Sequence, residues 1–117
     1  MRDLLPQDMV VFRRIEDAFR ESCTRFGYQE VRTPTLEHLH CFTSTGTLTP
    51  QMLRSVYSFL DWDGWSGERI VLRPDATIPL ARLYVDSLGA PGGVSKFFYV
   101  ENVFRFTDSA EEARERW

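Results

Sequence analysis

The sequence predicts an α+β fold with a mainly antiparallel sheet flanked by helices. Three patterns support this class: an amphipathic helical pattern at the start, a hairpin pattern in the middle and an apolar strand pattern late in the chain. The resulting order of elements, which is helix, strand, hairpin, helix and strand, is typical of α+β domains. With 117 residues, the chain has the length of one domain or of part of one.

The composition is that of an ordinary globular protein and limits the possible classes of function. Hydrophobic residues make up 43% and charged residues 26%, which is too apolar for intrinsic disorder. A net charge of −3 argues against a free-standing nucleic-acid module, because such a module must neutralise phosphates. The chain has no long apolar run, no secretory signal and only two cysteines. We therefore expect a cytoplasmic protein with no membrane partner.

The first element is a helix over residues 8–26, where apolar or small side chains recur at three- and four-residue steps. We expect Asp8 to be its N-cap and Gly27 to end it. Its other face is charged, and we expect these side chains to be solvated: Arg13, Arg14, Glu16, Asp17, Arg20 and Glu21. A half-buried strand over 28–33 follows, and Pro34 either ends it or places it at a sheet edge.

The middle of the chain predicts a short helix over 36–42, then a polar loop over 43–50, then a β-hairpin. The hairpin strands are residues 56–60 and 69–73, and the sequence Asp63-Gly64 is the strongest turn signal between them.

A second long helix is predicted over 77–88. Thr77 can cap its N-terminus, and Pro79 fits the first turn, where a missing N–H has no cost. A long strand over 96–106 follows, rich in Phe and Val, and residues 107–115 are polar enough for a loop.

The candidate ligand-binding residues lie between the hairpin and the second helix. Asp75 and Thr77 are two residues apart, and a carboxylate beside a hydroxyl can bind a ligand ammonium group. The alternative is that they only cap the helix, a common role for Asp and Thr at this position. The local sequence leaves both interpretations open.

Arginines late in the chain form a second group of candidates. Arg105, in the last strand, can clamp a carboxylate or a phosphate with its planar guanidinium, or pair with a structural carboxylate. Arg114 can act in the same way, or it can belong to a solvated charged loop together with Arg116.

No metal site or nucleotide-binding loop is predicted. His38, His40 and Cys41 lie on one short segment and do not complete a metal ligand set. Neither GxGxxG nor GxxxxGK[ST] occurs in the chain.

Four ordered segments resemble the histidyl-tRNA synthetase-like class II family, and together they cover essentially the whole chain: 2–37, 57–61, 72–77 and 99–105. The resemblance implies the class II fold. It also implies that Pro34 ends the strand of the first signature motif and belongs to a homodimer interface.

Two kinds of protein share this fold. Histidyl-tRNA synthetase activates histidine with ATP and Mg²⁺ and charges tRNA. The regulatory subunit of ATP phosphoribosyltransferase is a non-catalytic relative that assembles with a catalytic subunit in the first step of histidine biosynthesis. The segment Arg73-Pro74-Asp75-Ala76-Thr77 is more similar to the regulatory subunit, because synthetases typically have Arg-Pro-Glu-Gly-Thr there.

The second signature motif also departs from the synthetase pattern. Synthetases carry Phe-Arg-x-Glu, in which the Arg binds ATP phosphate and the Glu helps to seat adenine. This chain keeps Arg105 but has Thr107 in place of the Glu. The chain also ends before the third motif, so we expect residues 1–117 to be the N-terminal portion of a class II-like domain without a complete active site or any catalytic residue.

The resemblance therefore implies a histidine-responsive regulatory subunit without a cofactor, which binds histidine through Asp75 and Thr77 and assembles with the catalytic subunit. The first alternative is a histidine–tRNA ligase that uses ATP, Mg²⁺ and tRNA. The second is a paralogous domain that keeps only the dimerisation face around Pro34.

Overall fold

The computed structural model describes residues 2–46, 49–60, 67–88 and 93–106, together with the backbone of 115–116. Its α+β character agrees with the prediction. In chain order the elements are α1 (Pro6–Arg25), β1 (Gln29–Glu30), β2 (Leu36–His38), α2 (Leu39–Thr43), α3 (Pro50–Arg54), β3 (Ser58–Leu60), β4 (Arg69–Leu72), α4 (Thr77–Leu83) with a π-helical continuation (Tyr84–Leu88), β5 (Phe97–Phe98), β6 (Val103–Phe104) and β7 (Glu115–Arg116).

The described strands form three small sheets. β2, β4 and β3 make an antiparallel sheet in that order, in which Val71 lies opposite Glu37 on one side and Ser58 on the other. β6 and β7 are also antiparallel, whereas β1 and β5 pair in parallel. The sheets are therefore mainly antiparallel, as predicted, with one parallel ladder that the sequence did not indicate.

The predicted hairpin and second long helix are confirmed. β3 pairs with β4 from Ser58 to Leu60, and the Asp63-Gly64 turn lies outside the described residues. The largest fully buried side chains are Phe42, Val71 and Pro79. The core thus lies between α2, β4 and α4, directly beneath the segment that joins β4 to α4.

Two predictions for the middle of the chain are wrong. Residues 36–38 form a strand rather than the start of a helix, because they pair antiparallel with the central strand β4, which supplies backbone partners on one side. Part of the predicted loop over 43–50 belongs to α3, which starts at Pro50. The Thr49 hydroxyl caps α3 by accepting a hydrogen bond from the Met52 N–H at 3.2 Å.

The first helix starts two residues earlier than predicted. Pro6 is its first residue, and Asp8 lies in the first turn, where its carboxylate accepts the Leu5 N–H at 2.9 Å. No helix in the described part of the chain is long and apolar enough to cross a membrane.

The apolar stripe of α1 is mostly exposed, contrary to expectation. Val11 and Ile15 are 58% and 65% exposed, and Phe19 is 47% exposed although its ring packs edge-to-face with that of Phe98, at 5.8 Å between ring centroids. The strands β1 and β5 have only two residues each, and they are too short to cover the apolar stripe of α1. The one buried residue of α1 is Glu16, which we expected to be solvated.

The strand predicted over 96–106 is divided into β5 and β6. Between them lie Glu101, which is buried, and Asn102, and both contact the guanidinium of Arg73. These polar contacts interrupt the ladder.

Candidate ligand-binding site

Asp75 lies between β4 and α4 and caps the helix. Its Oδ1 accepts the Thr77 N–H at 2.6 Å, the Ile78 N–H at 3.3 Å and the Thr77 hydroxyl. The expectation that Thr77 caps the helix is therefore wrong, because its hydroxyl donates to Asp75 instead of accepting a backbone N–H. The carboxylate is the stronger acceptor, which explains why it takes all three donors.

One oxygen of this carboxylate remains open. All three hydrogen bonds fall on Oδ1, and no donor from the described residues reaches Oδ2 of the half-buried Asp75. Capping and ligand binding are thus compatible at this residue, because each can use a different oxygen.

Arg105 lies against the same segment. Its Nε donates to the carbonyl oxygen of Pro74 at 3.0 Å, and its side chain is half-buried. No described residue hydrogen-bonds to its terminal nitrogens. The structure therefore brings together three of the predicted site residues, Asp75, Thr77 and Arg105, at one end of β4.

Tyr99 is a neighbour of this site that was not predicted from the sequence. Burial raises the pKa of its phenol, and the negative charges of Asp75 and Glu101 raise it further. Tyr99 thus presents a neutral phenol near the Asp75 carboxylate. Its position in the segment 99–105, which carries the resemblance, was the available signal.

Arg73 organises the backbone around the site. It is only 4% exposed. Its guanidinium donates to the carbonyl oxygen and to Oδ1 of Asn102, both at 2.7 Å. It also donates to the carbonyl oxygens of Thr33 at 2.9 Å and of Pro34 at 3.2 Å. Arg73 therefore connects the end of β4 to the first signature segment and to the chain between β5 and β6.

Glu101 supplies the negative charge that a buried arginine requires. One of its oxygens lies 3.4 Å from Nη1 of Arg73, and its carboxylate accepts both the N–H and the hydroxyl of the buried Thr33. Neither Arg73 nor Glu101 was predicted from the sequence as a site residue. A charged residue within an apolar segment was the available signal, because buried charges are nearly always paired.

The remaining predicted site residues are Pro34 and Arg114. Pro34 is exposed, and its carbonyl oxygen accepts a hydrogen bond from Arg73. Arg114 lies outside the described residues. Within the described ranges, no group of three or more His, Cys, Asp or Glu side chains could hold a metal ion.

Known proteins match this chain along its whole length. The family model for histidyl-tRNA synthetase matches residues 1–117. An ATP phosphoribosyltransferase regulatory subunit of Dehalococcoides mccartyi is 63% identical over 115 residues, which cover 98% of this chain and 28% of that protein. A histidine–tRNA ligase of Caldicellulosiruptor bescii is 36% identical over 110 residues, which cover 92% of this chain and 25% of the ligase.

Solved structures agree with the fold. A Bacillus halodurans ATP phosphoribosyltransferase regulatory subunit/histidyl-tRNA synthetase superposes with a TM-score of 0.75 at 32% identity, covering 90% of this chain and 26% of that one. The apo histidyl-tRNA synthetase of S. aureus superposes with a TM-score of 0.69 at 30% identity, covering 90% of this chain and 28% of that one. The chain thus spans about a quarter of the relatives' length. Its sequence and its class II fold both show that the chain belongs to the histidyl-tRNA synthetase family.

Proposed function

We propose that the chain is part of a regulatory, non-catalytic subunit of ATP phosphoribosyltransferase, which acts in the first step of histidine biosynthesis. The observation that carries this proposal is the difference in identity. The chain is 63% identical to a regulatory subunit and 36% identical to a histidine–tRNA ligase over nearly the same residues. The pair Asp75-Ala76, in place of the Glu-Gly of synthetases, supports the same assignment.

Histidine is the ligand that this site would bind. The open Oδ2 of Asp75 suits its ammonium group as a charged acceptor. The terminal nitrogens of Arg105 suit its carboxylate, since Nε alone is occupied by the Pro74 carbonyl oxygen. The Asp75 carboxylate and the Arg105 guanidinium, which is held beside it by the Pro74 carbonyl oxygen, match the opposite charges of a free amino acid. Thr77 holds the Asp75 carboxylate in place.

The chain itself is proposed to carry no catalysis and to need no cofactor. Adenylation requires phosphate charge to be met from several directions. Arg105 is the arginine of the second signature motif, and Arg114 is proposed only as an accessory phosphate or carboxylate ligand.

The proposed partners are the catalytic subunit of ATP phosphoribosyltransferase and a second copy of the protein. The homodimer would form through the segment around Pro34, which is exposed and whose backbone is anchored by the buried Arg73. We assign the protein to the cytoplasm, because Cys23 and Cys41 are both unpaired, as suits a reducing compartment.

The second candidate function is a histidine–tRNA ligase that uses ATP, Mg²⁺ and tRNA. It is favoured by the similarity to the S. aureus synthetase structure, at a TM-score of 0.69.

Two measurements on the protein separate these functions. The first is the activity of an ATP phosphoribosyltransferase catalytic subunit with and without the protein, as histidine is added. We expect assembly and a histidine-dependent fall in activity. The second is ATP–pyrophosphate exchange with histidine, which we expect to be absent. Robust exchange, or a failure to assemble with the catalytic subunit, would refute the regulatory function.

A further inference from the structure

We propose that a second cavity, beside α1 and apart from the histidine site, binds a small organic anion. The cavity has a volume of about 310 Å³, and three arginines line it: Arg13, Arg20 and Arg32. We call it the arginine cavity. No part of the proposed histidine site contributes to it.

The charges of the arginine cavity do not cancel. Glu16 is only 7% exposed, and one of its oxygens accepts hydrogen bonds from Arg13 at 2.9 Å and from Arg20 at 2.8 Å. Arg20 also donates through Nε to Glu30 at 3.0 Å. Glu16 is the one carboxylate in the lining, and Glu30 lies outside it. Even with Glu30 included, two carboxylates stand against three guanidinium groups, which leaves a surplus of one positive charge.

Arg32 carries that surplus. It lies in the cavity lining, and no residue in the described part of the chain forms a hydrogen bond or an ion pair with it. Arg13 and Arg20 already neutralise the buried Glu16, so Arg32 is not needed to balance that charge. Among the described residues none accepts any of its five N–H donors, whose planar arrangement fits a carboxylate or a phosphate group with two parallel bonds.

The rest of the cavity lining indicates the chemical nature of the uncharged part of the ligand. Apolar side chains complete the cavity wall, among them Leu4, Phe12 and Val100. A bare inorganic ion would leave these side chains in contact with water, whereas an apolar body would cover them. The volume is at the small end of the range for ligand pockets. The cavity therefore suits an organic anion with one carboxylate or phosphate group and a compact apolar body.

The test is a titration of the chain followed by calorimetry and by NMR of the arginine side chains. The probes are benzoate and phenyl phosphate, with benzyl alcohol as the uncharged control and inorganic phosphate as the control without an apolar body. We expect both aromatic anions to bind, and both controls to bind roughly tenfold more weakly or not at all.

Two variants of equal charge locate the binding. Arg32→Gln removes the unpaired guanidinium, and we expect it to weaken benzoate binding roughly tenfold. Arg14→Gln removes the same charge from an exposed residue of α1 outside the cavity, and should leave binding unchanged. Both substituted side chains are exposed, so neither variant should unfold the protein, and urea denaturation checks this.

The outcomes separate this site from the histidine site. Asp75→Asn should leave benzoate binding intact, and histidine should not compete with benzoate. The proposal is overturned if Arg14→Gln and Arg32→Gln weaken binding equally, if benzyl alcohol binds as well as benzoate, or if neither aromatic anion binds.

Discussion

Glu101 binds Thr33 through both of its carboxylate oxygens, although 68 residues separate them in the chain. One oxygen accepts the Thr33 N–H and the other accepts its hydroxyl at 2.9 Å, and both side chains are buried. Arg73 lies beside this pair and bonds to the Thr33 carbonyl oxygen. Three distant segments thus meet in one buried polar network, directly next to Pro74 and Asp75.

Glu101→Gln should destabilise the protein by about 3 kcal/mol, because it leaves the buried Arg73 guanidinium without its negative partner. Urea denaturation measures this change. Glu21→Gln is the matched control, since it breaks an ion pair with Arg25 in which both side chains are more than 70% exposed. An equal and small effect of both substitutions would contradict the assigned role of Glu101.

Asp75→Asn separates capping from ligand binding. Asn keeps an oxygen that can cap α4, so the free energy of unfolding should change by less than about 0.5 kcal/mol. The charge is lost, and histidine affinity should fall at least about tenfold. Calorimetry with histidine measures the affinity.

Asp75→Ala removes the cap as well, and should also cost about 1 kcal/mol of stability. If Asp75→Asn binds histidine as tightly as the parent protein, the residue serves as a cap alone.

Arg105→Gln should weaken histidine binding roughly tenfold, because it removes the cation proposed for the ligand carboxylate and the Nε hydrogen bond to Pro74. Arg105→Lys is the informative companion, since it restores the charge without the planar donor pair. We expect partial recovery of affinity in Arg105→Lys, measured by the same calorimetry. Unchanged affinity in both variants would exclude Arg105 from the site.

Because of Glu16, the free energy of unfolding should decrease as the pH is lowered. Burial by itself would raise the pKa of Glu16, but hydrogen bonds from Arg20 and Arg13, together with their charges, hold it below its ordinary value of 4.5. A lowered pKa in the folded state contributes stability above that ordinary value, and this contribution is lost as the pH falls through the folded-state pKa.

The measurement is the free energy of unfolding from about pH 6 down to about pH 3, for the parent protein and Glu16→Gln. The difference between the two should shrink toward low pH. A difference that stays constant with pH would show that the Glu16 charge does not contribute.

Ile15→Asp should reduce self-association. Ile15 is 65% exposed on an apolar stripe, and exposed apolar surface of this kind favours contact with another protein surface. Sedimentation velocity over a range of concentrations should show less dimer for this variant than for the parent chain. Arg14→Asp, one residue away and already polar, serves as the control. Equal dimerisation of both variants would place the contact elsewhere.

Local pattern was sufficient for the elements whose partners are close in sequence. The periodicity of α1 and α4 and the hairpin of β3 and β4 could be predicted because each depends on neighbouring residues. The prediction failed at residues 36–38, where strand formation depends on β4, more than thirty residues later. It failed again within 96–106, where contacts to Thr33 and Arg73 interrupt the strand.

The candidate site shows the same division. The sequence by itself determined the family and pointed to Asp75, Thr77 and Arg105, because motif order and residue type are properties of the chain. Only the tertiary structure decided which Asp75 oxygen is occupied and that Arg105 holds Pro74. It also decided that Arg73 and Glu101 are buried partners. The physical reason is that burial and hydrogen-bond geometry depend on segments brought together by folding, which no local pattern encodes.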